Sequence, residues 1–199
     1  MSVVTDSVKA RPGKRDRLVA AACELVYRQG VDRTTLANLA TAADVPLGNV
    51  YYYFKTKDDI IAAVVRSRAD ELTSELAELE RRHRSPRTRL KSLMGLLAER
   101  ADSTAQFGCP YGTLSSELAK RAEGSDPLAA PLMRILLDWT EQQFRAMGRR
   151  DAADLAVELV AGYEGSAVLS NALGAPDIMA RHARRLERWI EALQKESQP

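Results

Sequence analysis

Three consecutive tyrosines, Tyr51, Tyr52 and Tyr53, run directly into Phe54, Lys55 and Lys57. Hydroxyl and ammonium groups along a short helix suit the phosphates that flank a DNA major groove. On a helical wheel Val50, Tyr51 and Phe54 fall on the inward side, so Tyr51 and Phe54 serve largely as core. Gly48, Asn49 and Tyr52 point elsewhere. Tyr52 and Tyr53 find the inward face already filled, and DNA contact is the better reading of that pair. Asn49 stands where base edges are reached, and an Asn side chain can pair with adenine through two hydrogen bonds. Lys57 reads as a phosphate ligand because it follows an aromatic-rich helix.

Catalysis is poorly served by the remaining residues. The only two histidines, His83 and His182, lie in basic helical segments. No nucleophile, base and orienting group can be assembled by spacing. Cys23 and Cys109 show neither metal-ligand spacing nor a disulfide framework, and no phosphate loop is present. The expectation is a non-enzymatic protein with no cofactor and no metal.

Two short elements position the tyrosine run. Thr35 is an N-cap whose hydroxyl can accept from an unpaired amide at a helix start. Leu36, Leu39, Ala40 and Ala43 then repeat at helical spacing. Asp44-Val45-Pro46 makes the turn. Asp tolerates a left-handed backbone, Val45 is pushed out of helical geometry by the proline after it, and Pro46 suits a first-turn position.

The stretch from residue 34 to 57 resembles the TetR family of one-component transcriptional regulators. The matching positions are Thr35, Leu39, Ala40, Val45, Gly48, Val50, Tyr51, Tyr53, Phe54 and Lys57. Asp44 and Pro46 stand where the family more often has Gly and Ser. Ala37 and Asn38 stand where it has a basic and an acidic residue. The resemblance implies an all-α fold: an N-terminal three-helix helix-turn-helix domain, then a helical bundle for ligand binding and dimerisation. It implies a ligand-responsive repressor that binds a palindromic operator in double-stranded DNA as a homodimer. The implied DNA-contacting set is Thr34, Thr35, Leu47, Gly48, Asn49, Tyr51, Tyr52, Tyr53, Lys55 and Lys57. The rival reading is an architectural DNA-binding protein without ligand control.

Composition favours the regulator, because an architectural DNA binder is usually more basic and does not explain a charge-neutral bundle. The net charge of +2 falls on residues 1–60, with nine Lys/Arg against seven Asp/Glu. Lys9, Arg11, Lys14, Arg15 and Arg17 crowd beside the motif, where phosphate attraction needs them. Residues 1–60 are therefore expected to form the DNA-binding domain with a flexible basic N-terminal arm, and residues 61–199 the ligand-binding and dimerisation domain. No signal-like or membrane-spanning segment stands out, and a cytoplasmic location is expected.

Helices are expected over 14–29, from Lys57 to the segment before Ser85, over 87–105, 113–122, 128–147, 152–173 and 177–195. A helix-turn-helix needs no such bundle to bind DNA, so a second task is implied. For ligand sensing, Phe107, Tyr111, Trp139, Phe144 and Tyr163 come from separate elements, and aromatics commonly line small-molecule pockets. Ordinary core packing is the stronger reading for any one of them. The Gly108-Cys109-Pro110-Tyr111-Gly112 loop, followed by Ser115, Ser116 and Glu117, is more distinctive and is similar to a segment in the LmrA/YxaF-like branch of the same family. A largely apolar effector is expected. For dimerisation, Gly162 and Gly165 permit close helix approach, and Leu186, Trp189, Ile190 and Leu193 form a wide stripe on the last helix. Glu164, inside an apolar helix, can pair with an arginine, meet a polar ligand or face solvent.

Overall fold

The computed structural model describes residues 13–121, 128 and 130–193. The basic arm residues Lys9 and Arg11, and the expected end of the last helix at 195, lie outside them. Every regular element among the described residues is a helix. The first, α1 (Lys14–Arg33), buries Leu18, Ala22 and Val26. It is interrupted at Gly30, whose φ of 82° is left-handed backbone that glycine adopts without a Cβ penalty. Next come α2 (Leu36–Ala42) and α3 (Leu47–Tyr53). The Thr35 hydroxyl caps α2 by accepting from the Asn38 amide at 3.1 Å. Asp44 makes the turn at a φ of 51°.

The long helix α4 (Lys57–Arg82) opens on a reciprocal capping box. The Asp59 amide donates to the Thr56 hydroxyl at 3.1 Å, and the Thr56 amide donates to the Asp59 carboxylate at 2.9 Å. Those bonds hold the Asp59 carboxyl below its ordinary range. The first half of α4 buries Ile60, Ile61, Val64 and Val65, and the second half Leu72, Leu76 and Leu79. The helix packs on α1 and then on the bundle, so one rigid rod runs through both parts of the molecule.

The stretch expected as one helix over 87–105 is two: α5 (Pro86–Glu99) and α6 (Ala101–Phe107). The break falls at Arg100, whose amide turns back to the Leu97 carbonyl and whose guanidinium pairs with Glu75 of α4. The redirected α6 packs along α9. Then follow α7 (Gly112–Arg121), α8 (Pro131–Ala146), α9 (Ala152–Leu173) and α10 (Asp177–Ala192). Helix α9 is packed by α6, α8 and α10 and buries Leu155, Leu159, Val160, Tyr163 and Ala167.

The stripe on α10 lies inside this bundle. Leu186 and Ile190 are buried within the single chain, and Trp189 and Leu193 pack against the same core. Trp189 meets Phe144 edge to face at 5.9 Å. Arg87 and Lys91 of α5 clamp the end of α10 through the Glu191 carbonyl and carboxylate. Within the single chain Leu186 and Ile190 are covered by α5 and α9, while Trp189 and Leu193 stay half-buried. Gly162 faces α10 of its own chain. A Cβ there would lie 3.1 Å from the His182 ring nitrogen and 3.4 Å from Leu186. Gly165 differs: it is exposed, with no atom within 4 Å of such a Cβ.

Candidate functional site

Helix α3 is held by Val50, which is fully buried, and by Phe54 just beyond it. Its outer face carries Leu47, Gly48, Tyr51 and Tyr52, with Asn49 half-buried on one flank. Tyr52 is 73% exposed and Tyr51 48%. The inward assignment of Tyr51 is therefore corrected: Val50 and Phe54 fill the inward side, and the Tyr51 ring turns out with its neighbour. Tyr52 and Tyr53 pack edge to face at 5.0 Å, so each phenol restrains the other. No neighbour stands within 4 Å of a Cβ at Gly48, and the backbone there is open to close approach.

The two lysines are fixed by carbonyl groups. The Lys55 ammonium donates to the Tyr51 carbonyl at 2.9 Å, and the Lys57 ammonium donates to the Asp32 carbonyl at 2.9 Å. An ammonium has three donors, so each keeps donors for a phosphate while its position is set. Thr35 is exposed at the start of α2. Thr34 is not available to DNA: it is buried, and its hydroxyl donates to the Gly30 carbonyl at 2.9 Å. That correction follows from the end of α1, which leaves a carbonyl needing a donor.

A cavity of about 890 Å³ lies between α7, α8 and α9. Its apolar wall includes Ala119, Met133, Leu137, Ala167 and Val168, and its polar lining includes Ser115, Glu117, Lys120, Arg134 and Glu164. Glu164 is the most enclosed of the charged groups. Its carboxylate accepts from the Cys109 thiol at 3.1 Å and abuts Gly112, where a Cβ would overlap it. Burial raises the Glu164 carboxyl above its ordinary range. Burial and the Glu164 charge push the Cys109 thiol up to about 12.

The helix that walls this cavity also holds the DNA-binding end. Glu117 of α7 accepts from the Val31 amide at 2.7 Å, just beyond the Gly30 interruption. Arg121 lies 3.2 Å from Asp58 at the start of α4 and 3.7 Å from Asp32.

Residues 18–64 match the model of the bacterial regulatory proteins of the tetR family. The HTH-type transcriptional repressor DhaR of Mycobacterium sp. (strain GP1) is 27% identical over 168 residues, 79% of this chain and 82% of that protein. The match identifies residues 18–64 as a DNA-binding region of the tetR type. The repressor KstR2 of Rhodococcus jostii is 25% identical over 99 residues, 50% of this chain and 48% of its own. A TetR transcriptional regulator from Legionella pneumophila shares the fold, with a TM-score of 0.80 over 90% of this chain and 98% of that one at 16% identity. Among the described residues the fold is all-α, and these relatives are transcriptional regulators rather than enzymes. Among its described residues no helix is long and apolar enough to cross a membrane.

The aromatic cluster expected for ligand binding does not assemble. Phe107 meets Tyr27 at 5.4 Å and carries the Arg28 guanidinium over its ring. Tyr111 is buried with its hydroxyl 3.5 Å from Glu75, and the Tyr163 hydroxyl lies 3.5 Å from the Cys109 sulfur. Trp139 donates its indole N–H to Glu80 at 2.9 Å, and Phe144 is fully buried against Trp189. None of the five lines the large cavity. Rings fill the packed centre here, and the open space is left to smaller side chains. Met133, Leu137, Ala167 and Val168 were missed as lining, although the second apolar side of α8, with Met133 and Leu137, was their signal. Arg121 had no signal in its spacing.

Proposed function

We propose that this regulator is a repressor that binds a palindromic operator as a homodimer and is released by a small, largely apolar molecule held between α7, α8 and α9. One observation carries the reading: the helix that walls the cavity is the helix whose Glu117 and Arg121 hold the ends of α1 and α4. A molecule that displaces α7 alters how the DNA-binding domain sits on the bundle. It need only favour the displaced form over the DNA-bound one. A tenfold preference, about 1.4 kcal/mol, gives measurable release.

Dimerisation is supported by α9. Its outward face carries Val157, Leu169 and Leu173, each more than half exposed, together with Ala161 and Gly165. Isolated apolar residues need no partner, but a continuous stripe on one helix does. A symmetric pair presents two α3 helices to half-sites about 34–36 Å apart. The domain division at residue 60, the cytoplasmic location and the likeness of the Gly108–Gly112 loop to the LmrA/YxaF-like branch belong to the same proposal.

Selection of bound duplexes from a random library tests the reading. An inverted repeat, protected as a discrete footprint, is expected. Uniform coating of unrelated duplexes points instead to the architectural role. Leu137→Trp, which fills the cavity, should raise the concentration of any releasing compound at least tenfold. Unchanged potency would place the effector elsewhere.

A further inference from the structure

The large cavity is mostly apolar, yet its most enclosed charged group is a carboxylate with no cationic partner. Among the described residues Glu164 accepts one hydrogen bond, from the Cys109 thiol, a weak donor. The cations that line the same space, Lys120 and Arg134, are exposed, and neither is within ion-pair distance of Glu164. Ser115 also lines the space, and its hydroxyl is buried with no hydrogen-bond partner. Two polar groups of this lining thus lack the partners that enclosed polar groups ordinarily have.

We propose that the cavity selects an amphiphilic amine, whose ammonium pairs with Glu164 and whose apolar body lies against Met133, Leu137, Ala167 and Val168. An ammonium offers three donors to the Glu164 carboxylate. Glu164 is half-buried, and a carboxylate already partly desolvated in the empty protein gains from a partner of opposite charge. The raised position of the Glu164 carboxyl agrees with a charge that lacks compensation. A neutral alcohol can donate one hydrogen bond but cannot supply the charge. An anion meets repulsion from Glu164. Gly112 belongs to the same arrangement, since any side chain there would occupy the place of the carboxylate.

This inference rests on the cavity being the effector site, and the test separates the two. Phenylbutylamine, phenylbutanol and phenylbutyrate share one apolar body and differ in the head group. Isothermal titration of the full chain near neutral pH should give the amine at least tenfold tighter binding than the alcohol, with the carboxylate weakest. That ranking in the unaltered protein needs no variant. Glu164→Gln, nearly identical in shape, should bring the amine down to the alcohol. Leu137→Trp should abolish both. If the amine binds no tighter than the alcohol, or does not bind, or keeps its advantage in Glu164→Gln, the amine assignment is overturned. If binding survives Leu137→Trp unchanged, the cavity assignment falls with it.

Discussion

Replacing Glu117 by alanine removes the acceptor of the Val31 amide at the end of α1. Val31 is 1% exposed, and its N–H to Glu117 distance is 2.7 Å. A hydrogen bond to a charged group contributes about 1.5–3 kcal/mol, and an orphaned buried donor costs about 1–3 kcal/mol. For a chain of this size each kcal/mol moves the melting point by about 2–4 °C. The expected fall is therefore roughly 2–12 °C in Glu117→Ala. Glu117→Gln should fall less, because its amide oxygen still accepts. Stability alone does not establish a role in signalling. The decisive measurement is operator affinity with and without a releasing compound, which gives the coupling between the two sites. Because Glu117 also lines the cavity, compound affinity is measured first without operator, and Glu117→Ala should lose at least fivefold in coupling beyond any change in that affinity. A variant that melts lower but keeps full coupling would refute α7 as the transmitting element. One that melts unchanged would show that the bond to Val31 adds nothing.

Lys57→Ala should weaken binding to all duplexes alike and reduce the slope of log affinity against log salt by about one; it should also lower the melting point, because Asp32 loses its donor. A mobility-shift titration with unchanged slope rejects the phosphate role. Gly165→Leu should leave the monomer folded, since no atom lies within 4 Å of a Cβ there, while splitting the dimer. Light scattering that shows a dimer in the variant, or a monomer in the parent at micromolar concentration, rejects α9 as the interface. Glu164 gives a pH signature. Its carboxyl is raised by burial, with Cys109, Tyr163, Glu117, Lys120 and Arg134 as the titratable groups around it or on the same lining. The folded chain then keeps that proton to higher pH than the unfolded chain, and stability falls as pH rises from the ordinary carboxyl range through the raised value. Glu164→Gln should remove this fall and melt above the parent at neutral pH; parallel pH profiles for the two would contradict the assignment.

The DNA-binding end was legible because its signals are local. The Thr35 cap, the Asp44 turn and the Phe54 anchor each act within a few residues, and each has the geometry that its chemistry requires. Tyr51 was misplaced because a seven-residue helix has too few turns to define an inward face when three rings follow one another. The bundle was less legible for a different reason. An apolar stripe on α10 reads the same whether its cover is α5 of its own chain or a second copy, and only the fold decides. The break at Arg100 depends on an ion pair with Glu75, which lies on another helix. The cavity eluded a search for aromatics because space is a property of what is missing between helices, and the large rings had gone where the packing is tightest.

Both tryptophans stand apart from the proposed binding space. Trp139 is tied through Glu80 to the far half of the long rod α4, and Trp189 rests on Phe144. Their emission should therefore be blind to simple occupancy and responsive to displacement of α4 or α10. Heat of binding and intrinsic fluorescence then become two separate channels. A compound seen in both is an agonist, and one seen by calorimetry alone is a silent occupant. Competition between the two would identify antagonists without any DNA in the tube.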